Sequence, residues 1–201
     1  LYANSETVDL VFSGPVYSGD GQVPLTVGNN QDPNMHGWNL VGNPFATQDA
    51  YITMSGYTME NANELVATPA GTAIHPMQGI LVHTDATTAL TFSTTPPANN
   101  GKKLTLNLTK GRSIMDRAIV CFNESKPLPK IQFREGSSKV YFPMDGKDYA
   151  VVSVQEQGEL PVNFKAKEND HYTLSFDAEE VEFAYLHLID NLTRNDVDLN
   201  N

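Results

Sequence analysis

Apolar and polar side chains alternate without interruption along Lys103-Leu104-Thr105-Leu106-Asn107-Leu108-Thr109, which puts three leucines on one face of an extended chain. Leu160-Pro161-Val162-Asn163-Phe164-Lys165-Ala166 repeats the pattern, with Leu160, Val162, Phe164 and Ala166 predicted to point inward. Pro161 has no N–H to give to a ladder, so that strand is expected at a sheet edge or with an unpaired segment. Tyr172-Thr173-Leu174-Ser175-Phe176 alternates as well. Tyr149-Ala150-Val151-Val152-Ser153-Val154 and Phe183-Ala184-Tyr185-Leu186-His187-Leu188-Ile189 are largely apolar on both faces, the signature of strands covered on both sides. Asp145-Gly146, Gln157-Gly158 and Asp190-Asn191 mark turns between them.

The first half is less regular. Residues 8–12, 23–27, 38–41, 79–83 and 89–92 are predicted strands, separated by loops rich in Gly, Asn, Asp and Pro. Residues 47–66 are ambiguous, with a short helix or turn as the candidates. No segment sustains a 3.6-residue apolar period, so no coiled coil is expected. Short strands punctuated by turns predict an all-β chain of sandwich type. The expected architecture is two consecutive β-sandwich modules, jelly-roll or immunoglobulin-like, over residues 1–98 and 102–201. Their boundary is placed at Thr94-Thr95-Pro96-Pro97-Ala98-Asn99-Asn100-Gly101, a polar stretch with the composition of a linker.

Charge supports that boundary. Residues 1–100 hold eight acids and no Lys or Arg, so all 13 basic residues fall after the boundary beside the other 16 acids. The net charge of −11 argues against nucleic acid, whose phosphates need clustered cations, and against anionic lipid. No apolar run approaches the roughly 20 residues a membrane-spanning helix needs. Cys121 is the only cysteine, which excludes an internal disulfide framework and a Cys-rich zinc site. The chain opens at Leu1 without an initiator Met or a leader, and is read as a piece of a longer protein.

Candidate chemistry is sparse. Trp38, the one tryptophan, sits in Gly37-Trp38-Asn39-Leu40-Val41-Gly42-Asn43-Pro44-Phe45. It is either a platform for a sugar ring or an anchor of the first core, with Asn39 and Asn43 satisfying turn backbone. The five histidines lack metal-site spacing, although His75 and His83 could meet across a hairpin as half a site. Three oxygen-rich loops, at 29–34, 145–148 and 190–198, read as solvated turns rather than calcium sites, because the DxDxDG pattern is missing. Cys121 follows Ala118-Ile119-Val120 and reads as a small core hydrophobe, not a nucleophile. No GxSxG elbow or phosphate-binding glycine loop is present, and no catalytic residue, metal or cofactor is expected. A glycosidase, which needs two carboxylates in a cleft, is the enzyme alternative.

Several ordered blocks carry a family resemblance. Gly37 to Phe45, Ile74-His75-Pro76-Met77-Gln78-Gly79, Lys139-Val140-Tyr141-Phe142-Pro143, Lys147-Asp148-Tyr149-Ala150-Val151-Val152 and Tyr185-Leu186-His187-Leu188-Ile189-Asp190-Asn191-Leu192-Thr193 resemble the C-terminal region of large secreted and cell-surface adhesion proteins of the Bacteroidetes. The resemblance implies a non-catalytic module, exported to the cell exterior, structural or adhesive in role. Its partners would be other domains of the same precursor and a host protein or glycan. A carbohydrate-binding module using Trp38 is the main alternative. Arg194 stands where that pattern usually has a turn glycine.

Overall fold

The computed structural model describes residues 13–60, 64–97, 101–132 and 136–200. The strand expected over 8–12, and residues 98–100 of the expected linker, lie outside them. Regular structure in the first half comprises β1 (Gln22–Leu25), a 3-10 turn at Pro33–Met35, β2 (Trp38–Gly42), β3 (Ala50–Tyr51), β4 (Gly56–Glu60), β5 (Glu64–Thr68), β6 (Ala73–Ile74), β7 (Gly79–His83) and β8 (Thr88–Thr91). The second half adds β9 (Lys103–Lys110), β10 (Ser113–Cys121), β11 (Leu128–Pro129), β12 (Lys139–Met144), β13 (Lys147–Ser153), β14 (Asn163–Lys165), β15 (Thr173–Glu179), β16 (His187–Ile189) and β17 (Asp196–Asp198). The described chain is all-β, as the alternating pattern predicts.

Two sheets dominate. An antiparallel sheet in the first half runs β2-β7-β4-β5, and a larger sheet in the second runs β14-β12-β13-β10-β9-β15, with β11 attached to β13. Val151 of β13 pairs in parallel with Ile119 of β10 and antiparallel with Leu128 of β11, so those strands flank it on opposite sides. Tyr149 pairs with Phe142 of β12 and Pro129 of β11. β12 and β10 therefore share one side of β13, and the sheet curls. The β12–β13 hairpin closes on Asp145 and Gly146, both left-handed at φ 49° and 74°, as a two-residue turn matched to strand twist requires.

Period-2 geometry stacks the layers. In β7, Ile80 and Val82 face one core with Leu25, Val41, Ile74, Leu90 and Phe92, contributed largely by the small β1–β8 and β3–β6 ribbons. Leu81, between them, turns to the opposite face, toward Tyr57, Trp38 and Ala67. That second face meets Ile119, Cys121, Leu128, Ile131, Ala150 and Val151 of the large sheet, so one apolar cluster joins residues of both halves. β10 then alternates onward: Ala118 and Val120 point to a third cluster with Leu104, Leu106, Leu108, Val140 and Phe142. Ala118 to Cys121 are all apolar because both faces of β10 are covered.

Three expectations need correction. Gly56–Glu60 and Glu64–Thr68 are the antiparallel strands β4 and β5, a pair that the irregular pattern hides because apolar residues are needed on both sides. Phe164 and Ala166 do not point inward: β14 covers only Asn163–Lys165 and is exposed throughout, with Phe164 49% accessible. β14 ends the sheet, and Pro161 lies before it outside the ladder, which fits the expected edge strand or unpaired segment. The run 183–189 is not a central strand. Among the described residues its strand is His187–Ile189, paired with β17, and Tyr185 is 65% exposed. Arg194 adopts a left-handed φ of 64° at the turn before β17, the conformation for which glycine is preferred.

Candidate functional site

Gly37 brings Trp38 to the seam between the halves. Its φ is 76°, and a Cβ there would lie 2.3 Å from the carbonyl oxygen of Thr84, so only glycine fits. The Gly37 N–H donates to the Val27 carbonyl at 2.6 Å, and its own carbonyl accepts from the Thr84 N–H at 2.8 Å. Asn39 donates to the Gly37 carbonyl and Asn43 accepts from the Phe45 N–H, while Asn39 also exchanges hydrogen bonds with both backbone groups of Thr26 and Asn43 donates to the carbonyls of Gln48 and Ile74. Trp38 is half-buried. Its ring lies 5.7 Å from that of Tyr57 and meets the His83 imidazole edge-on at 5.0 Å. It packs on the seam cluster rather than in the first core.

Tyr57 crosses the seam. Its ring is buried, and its hydroxyl donates to the Pro129 carbonyl at 3.0 Å while accepting from the Ile131 N–H at 3.3 Å. Both partners lie more than 70 residues downstream. Lys130, between them, buries its ammonium 2.5 Å from the Asp116 carboxylate and 6.0 Å from the Tyr57 ring centre. Asp116 also accepts from the Val140 N–H at 2.8 Å. A β-bulge between Ile114 and Asp116 in β10 lies beside this position, where bulges commonly re-aim a side chain. Burial pushes the Tyr57 phenol well above its usual range, reinforced by the Asp116 charge.

A cleft of about 680 Å³ opens along this seam. His36, Trp38, His83 and Asp85 line it from the first half, and Lys126, Gln132, Lys147, Asp148 and Tyr149 from the second. The position set by Trp38 was legible in the sequence; the opposing wall was not, because nothing local ties 126–149 to residue 38. Burial pulls the His83 imidazole below its ordinary 6.5, partly offset by Asp85 and reinforced by Lys147 and Lys126. The neutral ring is therefore the folded form, and the unfolded chain takes up the proton first as pH falls through 6.5. The stability this contributes is present above 6.5 and is lost as pH falls through the folded-state value. Urea unfolding at pH 7 and pH 5 should show a larger acid loss in the native chain than in His83→Gln. Equal losses would refute the assignment.

The remaining sequence candidates are dispersed. His75 bonds Asp49 at 2.8 Å on the surface, while His83 sits at the seam, so the two imidazoles serve different partners. Asp190 holds its own turn through Leu192 N–H and the Thr193 hydroxyl, and Asp196 holds His187 at 2.6 Å. Asp32 caps the 3-10 turn through Asn34 N–H. Among the described residues no three His, Cys, Asp or Glu side chains converge on a possible metal position. Cys121 is buried, and burial raises its thiol above the ordinary value. A disulfide reagent should label it roughly a hundredfold or more slowly in the native chain than in urea, since the thiolate must first form and be reached. Comparable rates would refute a sealed core position.

No helix among the described residues is long and apolar enough to cross a membrane. Comparison with known proteins finds no matching family model, no matching curated protein and no matching solved structure.

Proposed function

We propose that this chain is a non-catalytic module of structural or adhesive role at the exterior of a Bacteroidetes-type cell, carried within a longer secreted or surface protein. The observation that carries the reading is the insertion of Tyr57 between Pro129 and Ile131, which makes the seam a shared interior. A module that presents neighbours or resists load needs its parts to move as one body, and a buried, hydrogen-bonded seam supplies that. The test places a specific protease site at residues 98–100 and cuts it. The two pieces should stay together on size exclusion and unfold in one transition. Pieces that separate under native conditions would remove the physical basis of the reading.

A second reading, a glycan-binding module, draws on Trp38 lining the cleft. The cleft volume of about 680 Å³ falls in the range of small-molecule sites, and its lining mixes an aromatic ring with polar groups. Trp38 is the chain's only tryptophan, so selectively excited tryptophan fluorescence reports on this cleft and not on the eight tyrosines. Titration with a panel of oligosaccharides should give a saturable change for at least one. A flat response across the panel removes this reading and leaves the first intact.

A further inference from the structure

Coverage of the second half stops abruptly along the chain. From Gln155 to Asn200 no residue is fully buried, although this stretch contributes Leu160, Val162, Tyr172, Leu174, Phe176 and Phe183 to the third cluster. Their inner partners, Leu104, Leu106 and Leu108, are sealed, so the half-covered row forms the outer side of that core. β15 belongs to this row. It pairs with β9 through all seven of its residues and has no strand on its other side among the described residues. Thr173, Ser175 and Asp177 alternate outward while Leu174 and Phe176 lean on the cluster.

A free edge of this length, beside a partly covered apolar row, is a template for strand addition. The charge carried by β15 and by the chain leading into and out of it selects the partner. Residues 155–200 hold eleven Asp or Glu against three Lys or Arg. Among the described residues, Lys103 and Lys110 of β9 pair with Glu179, Glu168 and Asp170. A second copy of this chain would bring the same excess of negative charge, and a neutral strand would leave it unanswered.

We infer that the outer edge of β15 takes up an extended polypeptide segment in which apolar residues alternate with lysine or arginine. Its backbone continues the ladder, its apolar side chains extend the row of Leu174 and Phe176, and its cations face Asp177 and the acids beyond it. This builds on the structural or adhesive reading by naming the surface and the partner, and its test does not involve the seam.

The test uses the full 201-residue chain and a labelled synthetic peptide of alternating Val and Lys, about ten residues long, enough to span an edge strand. Anisotropy should show saturable binding that weakens as salt rises, and hydrogen exchange should show new protection at Thr173–Glu179. Asp177→Lys, at an exposed position, should weaken binding about fivefold, as expected when one attractive surface charge becomes repulsive. Absence of binding, equal binding of a peptide with Glu in place of Lys, or protection away from β15 would each overturn the inference. A concentration-dependent dimer covering β15 would overturn it too, by making the occupant a second copy. If the peptide fails while the cut chain stays together, the partner assignment falls and the module reading stands.

Discussion

Tyr57→Ala is expected to cost about 4–6 kcal/mol, the largest effect of any single change considered, since it removes a buried ring and orphans two backbone groups. The ring is 1% exposed at the centre of the seam, so its loss leaves a cavity between sheets that cannot close without moving one against the other. The Pro129 carbonyl and the Ile131 N–H lose their partner together. Native domains hold only about 5–15 kcal/mol in total, so this variant should sit close to unfolding. Tyr57→Phe separates the contributions: it keeps the ring and removes the hydroxyl, at about 1–3 kcal/mol. Urea curves followed by circular dichroism and by Trp38 fluorescence decide the matter. An alanine variant within about 1 kcal/mol of the native chain would show that the seam is not a packed interior.

Alkaline pH offers an independent reading of the same residue. Because the folded-state phenol ionises well above 10, the unfolded chain releases the proton first, and stability falls as pH rises past 10. In a spectroscopic titration, one of the eight tyrosines should stay silent until the chain unfolds.

Lys130→Met should produce the second-largest loss, about 3–5 kcal/mol, the usual cost of stripping one partner from a buried ion pair. The two side chains are only 3% and 6% exposed, so water cannot replace the missing cation. Asp116 would retain the Val140 N–H but hold an uncompensated charge. The reverse change, Asp116→Asn, should cost less. Burial already holds the Lys130 ammonium below its usual range, with Asp116 offsetting only part of that, so the orphaned lysine can release its proton. The double variant Asp116→Asn/Lys130→Met should be more stable than the sum of the two losses implies, because it buries no charge. Strict additivity would mean that the carboxylate and ammonium do not depend on each other.

Legibility in the sequence followed the number of buried faces. β9 shows its alternation because the pattern of leucines needs only one continuous face, and β13 shows an apolar run because both its faces are covered. The β4–β5 pair was opaque. Gly56 and Tyr57 begin β4 without a repeating polar face, since Tyr57 serves the seam while Thr58, on the next position, is buried with Thr68 through a 2.7 Å hydroxyl contact. The stretch from 183 to 189 misled in the opposite direction: its apolar residues are present, but the neighbours that would cover Tyr185 and Ile189 are not among the described residues.

Local chemistry, then, is what the chain determined unaided. Alternation specified extended segments, Asp145-Gly146 specified a tight hairpin, and Asn39 and Asn43 specified held turns through the Gly37 carbonyl and the Phe45 N–H, because each depends on residues a few positions apart. The layering of sheets, the meeting of Tyr57 with Pro129 and Ile131, the buried Asp116–Lys130 pair and the cleft beside Trp38 were decided by the tertiary structure alone. Apolar burial drives faces together without direction, so a period-2 pattern states that a face must be covered but not by which distant strand.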